Sequence, residues 1–314
     1  MQVFFIALVA VAVLVAAAIP GYLLVKKKIV GEECIPGFSK ILVYVCQPCL
    51  AVYTFKSAEY SVEKLVDIGI FAILATVVPF LIMGTVFLFV NKKSKEQTVY
   101  RIVTIASSFG NCAFFGIPII EALFPPEVAK EVILYTTVYS MMMNITGWTV
   151  GSAIISRDIK YISVKKIFLN PAVLGTALAL VLFIGEIPVQ KDLLSMITAA
   201  AKMATPLSMM ILGMRLATMR VGEIFSDYRI YLTVAIKQLV MPVVAFAFVF
   251  FLPIDPTLGS VFFIISACPV AAVVLTYSEM VGEGQRNAAS MLLAGTLLSV
   301  VTLPIMTFLL PLIK

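Results

Sequence analysis

The chain has 314 residues, 61% of them hydrophobic and 13% charged, with a formal net charge of +6. Soluble domains carry about 25% charged and about 45–50% apolar residues, so this composition excludes a soluble domain and places the chain in a lipid bilayer. The excess of positive charge then concerns membrane topology, and nucleic acid is not an expected partner.

A crossing helix needs about 20 mostly apolar residues. Ten segments reach or approach that length: 3–25, 38–56, 67–90, 102–122, 132–156, 167–187, 193–217, 230–252, 258–279 and 287–312. The second is the weakest, with only Ile41–Phe55 free of charge, and the seventh and eighth each contain one lysine, Lys202 and Lys237. A cleaved leader over Met1–Ala18 is disfavoured, because no basic residue precedes the apolar run. Most of the 23 lysines and arginines follow odd-numbered segments: Lys26, Lys27, Lys28 and Lys40, then Lys92, Lys93, Lys95 and Arg101, then Arg157, Lys160, Lys165 and Lys166, and finally Arg215, Arg220, Arg229 and Arg286. Positive charge stays in the cytoplasm, so the expected protein is multi-pass in the cytoplasmic membrane with both termini outside.

The expected fold is all-α, with ten transmembrane helices arranged as two inverted five-helix repeats, 1–157 and 158–314. An odd number of crossings per half inverts the second half. Pro48 and Pro206, Pro79 and Pro242, and Pro118 and Pro269 recur in order across the halves. The fourth and ninth segments carry helix breakers in their middles. The fourth reads Ser107-Ser-Phe-Gly-Asn-Cys-Ala-Phe-Phe-Gly-Ile-Pro118 and the ninth Ser266-Ala-Cys-Pro-Val270. Proline removes a backbone donor, and each freed group costs several kcal/mol in hydrocarbon unless it is satisfied. Interrupted helices at corresponding places in two repeats point to a midplane solute site.

The candidate substrate-binding residues are Asn111, Gly116, Pro118, Ser266, Pro269 and Lys202. A broken helix exposes a positive N-terminal end suited to a carboxylate. Asn111 adds a polar group that does not titrate. Lys202 is an ammonium near the centre of the seventh segment, costing at least about 2.5 kcal/mol there, and it can balance an anion's charge or snorkel to the interface. Lys237 lies nearer a helix end, where snorkelling or structural pairing accounts for it. Gln47 and Asn144 read as helix–helix contacts. Glu121 and Glu279, near the ends of the fourth and ninth segments, are the coupling candidates, although neither lies deep. An anion leaving a negative-inside cell gains about 2.3 kcal/mol per charge for each 100 mV, so export driven by membrane potential needs no proton site. No cofactor or metal is expected. The chain has no histidine, Cys46 and Cys49 sit in an apolar run without a second ligand pair, and no phosphate-cradling loop is present.

The chain resembles the auxin efflux carrier family, which joins plant auxin exporters to bacterial carriers of malate, malonate and similar acids. The resemblance covers nearly the whole length. It rests on Asn111-Cys-Ala-Phe-Phe-Gly-Ile-Pro118, Asn170-Pro-Ala-Val-Leu-Gly175, Thr205-Pro-Leu-Ser-Met-Met-Ile-Leu-Gly213, Lys237-Gln-Leu-Val-Met-Pro242, Ala267-Cys-Pro-Val-Ala271 and the run Gly295 to Pro304. It implies a secondary transporter for a small organic anion, not an enzyme, working as a homodimer by an elevator motion. Spans one, two, six and seven would form a scaffold, and spans three to five and eight to ten a mobile transport domain whose fourth and ninth spans cross at their prolines. Two departures stand out: the long loop of the plant carriers after span five is missing, and Ala113 stands where many relatives have glycine. A proton- or sodium-coupled symporter or antiporter of the same fold is the alternative, and a membrane-embedded sensor or enzyme a distant third.

Overall fold

The computed structural model describes residues 1–90, 97–157 and 164–313. Lys92, Lys93, Lys95 and Lys160 of the charge pattern, and the residues that open the second repeat, lie outside them. Among the described residues the chain is helical throughout and contains no strand.

Among the described residues six helices are long and apolar enough to cross a membrane: α1 (Gln2–Lys26), α2 (Glu32–Lys56), α3 (Val62–Val90), α8 (Lys191–Ala217), α9 (Tyr228–Phe251) and α12 (Gln285–Leu312). The other expected segments are shorter or interrupted. The fourth is two helices, α4 (Gln97–Ala106) and α5 (Cys112–Leu123), and the ninth is α10 (Pro256–Ala267) followed by α11 (Val273–Val281). The fifth, α6 (Leu134–Thr146), runs on through a wide turn at Gly147–Gly151 into Ser152–Ser156. The sixth, α7 (Pro171–Ile184), has only 14 residues.

Helix starts follow local rules. Asn170 caps α7 by accepting from the amides of Ala172 at 2.9 Å and Val173 at 3.3 Å, and Asp255 caps α10 through Thr257 and Leu258 at 2.9 and 3.0 Å. In both, proline fills the first helical position, where its missing N–H costs nothing. Prolines inside long helices are absorbed without a break. Wide π-type turns at Leu42–Cys46 and Ile236–Val240 precede Pro48 and Pro242, and Pro79 sits within an unbroken α3. Pro206 denies the carbonyl of Lys202 its usual partner, and the helical pattern of α8 is interrupted at Met203, between Lys191–Lys202 and Ala204–Ala217.

Helices α1 and α8 meet almost backbone to backbone. A Cβ on Gly213 would lie 1.8 Å from the Ala18 carbonyl oxygen, and one on Gly21 would lie 2.0 Å from that of Met210. Helices α2 and α7 approach in the same way, with Gly175 packed on Pro48. Small residues permit such contacts where lipid offers no hydrophobic drive for helices to associate. Elsewhere α3 packs on α6, α9 on α10, and α12 on the first half of α1.

Gly213→Ala should therefore force α1 and α8 apart at a cost of about 1–3 kcal/mol, seen as a lower melting temperature in detergent. Gly69→Ala on α3, where nothing lies within 4 Å of an added Cβ, should leave melting unchanged. Equal melting of the two variants would refute the close α1–α8 contact.

Candidate functional site at the helix crossing

The two interrupted segments cross at their breaks. Gly110 and Val270 form an isolated antiparallel bridge. The Asn111 amide donates to the Pro269 carbonyl at 2.7 Å, and the Ala271 amide donates to the Phe109 carbonyl at 3.0 Å. Each break thus satisfies backbone groups that the other leaves open, the condition hydrocarbon imposes on irregular chain. The crossing falls at Gly110–Asn111 on one side and Pro269–Val270 on the other. Pro118 stands beyond it, in the first turn of the stretch Ile117–Leu123, behind a π-type turn at Cys112–Gly116. It is therefore Ser107–Asn111, and not Pro118, that interrupts the fourth segment. The wide turn accommodates the missing proline donor.

Around this crossing the sequence-derived residues fall into two groups. Asn111, Gly116, Ser266 and Pro269 are brought together. Asn111 is half-buried at the start of α5 and its side chain caps nothing. Gly116 lets α5 pass close to Cys268, whose sulfur would lie 3.5 Å from an added Cβ. Ser266 and Ser107 are fully buried, and their hydroxyls meet no hydrogen-bond partner. Tyr139 of α6 lies beside Ser266 without a well-formed hydrogen bond between the two hydroxyls. Ser108, by contrast, is tied to its own helix through the Thr104 carbonyl at 3.1 Å.

Lys202, Glu121 and Glu279 form the second group, away from the crossing. Lys202 is exposed on α8, within reach of the charge on Glu121 of α5, and Arg215 of the same helix is within reach of Glu279 on α11. Helix α8 also touches the broken segment directly, since the Thr205 hydroxyl donates to the Phe114 carbonyl at 3.0 Å.

Lys237 is the residue whose place the sequence did not reveal. It is fully buried, and its ammonium donates to the Ser266 carbonyl at 2.7 Å. A Cβ on Gly110 would lie 3.0 Å from its Cε and Nζ, so the lysine lies directly on the crossing. Among the described residues no carboxylate lies within ion-pair distance of it. The Ser266 carbonyl belongs to the last turn of α10, where unpaired carbonyls and the helix dipole place negative charge. Snorkelling is thus replaced by structural pairing. A usable signal was the adjacent pair Lys237 and Gln238 in an apolar run, because costly polar residues face the protein interior. Gln238 is also fully buried. It donates to the Gly295 carbonyl at 2.7 Å and accepts from the Thr302 hydroxyl, joining α9 to α12.

Beside Ala113 a cavity of about 10 Å³, the room of one water molecule, is lined by Gln47, Thr137, Ser140 and Thr176. It lies where α2 and α7 meet α5 and α6. Polar pairs run along the same seam: Thr54 with Thr137 at 2.9 Å, Gln47 with Ser140 at 3.3 Å, and Asn170 with Asn144 at 3.3 Å. Gln47 and Asn144 are thus the helix–helix contacts the sequence suggested.

The family described as membrane transport protein matches residues 6–307. The chain belongs to this family, that of the auxin efflux carriers. It is accordingly a multi-pass membrane transporter. No match was found among curated proteins.

If Lys237 pins the crossing, removing its ammonium should loosen it. Cys112 and Cys268, buried there as free thiols, report on this, whereas Cys34 is exposed. In a background with Cys34, Cys46 and Cys49 all replaced by serine, since these too are free thiols and Cys49 is only partly buried, Lys237→Met should speed labelling of Cys112 and Cys268 by a membrane-permeant maleimide. A hydrogen bond from a charged group contributes roughly 1.5–3 kcal/mol, so the gain should be about tenfold or more. An unchanged labelling rate would remove Lys237 from that role.

Proposed function

We propose that this chain is a secondary transporter of a small organic anion, a carboxylate of the auxin-like or dicarboxylic kind, exported down the membrane potential. The observation that carries the reading is the backbone-paired crossing of two interrupted helices with a buried ammonium against it. Such a crossing places helix ends and free polar groups mid-membrane, where a carboxylate can exchange its hydration for protein donors. The start of α5 offers a positive helix end, and the side-chain amide of Asn111, which caps nothing, and the hydroxyl of Ser266 stand beside it. Lys202, on the helix facing α5, is the proposed counter-charge along the path.

The proposed architecture is ten spans in two inverted repeats, moving as an elevator in a homodimer. Helices α1, α2, α7 and α8 form the stationary part, and the glycine-mediated contacts that bind α1 to α8 and α2 to α7 support that role. The remaining helices form the moving part. Where α2 and α7 meet α6 across the boundary, side-chain hydrogen bonds replace tight backbone contacts. Such bonds contribute about 0.6 kcal/mol each in membranes, so they can be exchanged one after another during sliding. Coupling to protons or sodium through Glu121 or Glu279 is the second reading. The potential-driven one is preferred because each carboxylate already faces a cation of α8.

Purified protein in proteoliposomes should release labelled auxin or malate faster when an inside-negative potential is imposed, without response to pH or sodium gradients. Asn111→Ala should slow release about tenfold, the worth of one hydrogen bond to a charged group, with melting nearly unchanged. Normal rates at unchanged affinity in that variant would exclude the crossing as the substrate site. Dependence on sodium or pH would move the assignment to the coupled reading.

A further inference from the structure

Pro118 has no N–H, so the carbonyl of Phe114, four residues before it, lacks its usual helical partner. That carbonyl is met from another helix: the Thr205 hydroxyl of α8 donates to it at 3.0 Å. Threonines inside helices commonly return their hydroxyl to a carbonyl one turn back on the same helix. Thr104, Thr176, Thr233 and Thr296 do so here, at 2.8–2.9 Å. Thr205 departs from that habit. It stands in the first turn after the interruption at Met203, directly before Pro206, and is half-buried.

Inside a membrane an open carbonyl has no bulk water to turn to, so the origin of its donor matters. A donor within α5 would leave that helix free of α8. A donor on α8 ties the two helices together at the wide turn that follows Asn111. We propose that Thr205 is a positioning residue, a clasp that closes on the carbonyl Pro118 leaves open and holds the Asn111 end of α5 against α8. Pro118 then serves the crossing without lying on it, by making the acceptor that Thr205 takes. The clasp stands on the hydrogen bond and the proline, whereas its part in transport rests on the reading of α8 as stationary and α5 as moving. In that reading the clasp is closed in this conformation and opens whenever α5 slides along α8.

The test is a cycle between the two positions, in full-length protein in detergent. Thr205→Val keeps the shape of the side chain and removes the donor, and Thr205→Ser keeps the donor. Hydrogen–deuterium exchange over Cys112–Leu123 should quicken about threefold or more in Thr205→Val, the worth of one side-chain hydrogen bond between membrane helices. Thr205→Ser should exchange at the parental rate. In Pro118→Ala a backbone amide at position 118 supplies the Phe114 carbonyl from within α5. Adding Thr205→Val to that variant should then quicken exchange no further. A side chain that only packs would act alike in both backgrounds. Equal effects of Thr205→Val with and without Pro118→Ala would therefore overturn the clasp, as would parental exchange in Thr205→Val. If Pro118→Ala does not fold, equal exchange in Thr205→Val and Thr205→Ser overturns it. In proteoliposomes, labelled auxin or malate should leave Thr205→Val at a maximal rate about threefold higher, because the lost bond belongs to the conformation being left. A maximal rate no higher than that of Thr205→Ser would overturn the role in transport. Failure of the parent to move either probe would refute the anion reading, and the exchange cycle would still decide the clasp.

Discussion

Two main-chain hydrogen bonds between Phe109–Asn111 and Pro269–Ala271 are the constraint on which the rest of this structure depends. Irregular backbone cannot face hydrocarbon, so neither broken segment is viable in the membrane by itself. Each supplies the partner the other lacks, which ties residues from the two halves of the chain into one crossing. Lys237 follows from the same constraint. The end of α10 points carbonyls into the protein interior, and an ammonium from α9 meets one of them.

Two kinds of packing surround the crossing. Where α1 meets α8 and α2 meets α7, glycine lets backbones touch, and such contacts resist sliding because any shift drives a Cα into an oxygen or a ring. Where α6 meets α2 and α7, threonine, serine, glutamine and asparagine side chains pair instead, with room for one water beside Ala113. The methyl group of Ala113 lines that space, so the residue at this position sets how much room the seam keeps. A rigid pair of contacts beside a weakly bonded seam is the physical basis of the proposed relative motion.

Charge is distributed by the same logic. Helix α8 carries Lys202 and Arg215 toward Glu121 and Glu279, which end the two broken segments. Arginines on the face where α4 begins are matched by acids at Arg229 and Arg286. Such pairs fix structure.

The sequence by itself determined the environment, the helical class, the places of the two breaks and the membership of a transporter family. These rest on composition, on apolar run length and on glycine and proline, which act locally on the chain. It misplaced Pro118 at the crossing, because whether a missing donor breaks a helix or is absorbed by a π-type turn depends on the packing around it. Pro48, Pro118 and Pro242 are absorbed, and the fourth segment breaks instead at Ser107–Asn111. Tertiary structure alone decided that Lys237 lies on the crossing while Lys202 lies exposed beside Glu121. Both are single lysines in apolar helices, and their chain neighbourhoods look alike. Their difference comes from which helix each faces, and that is set by contacts between residues far apart in the chain.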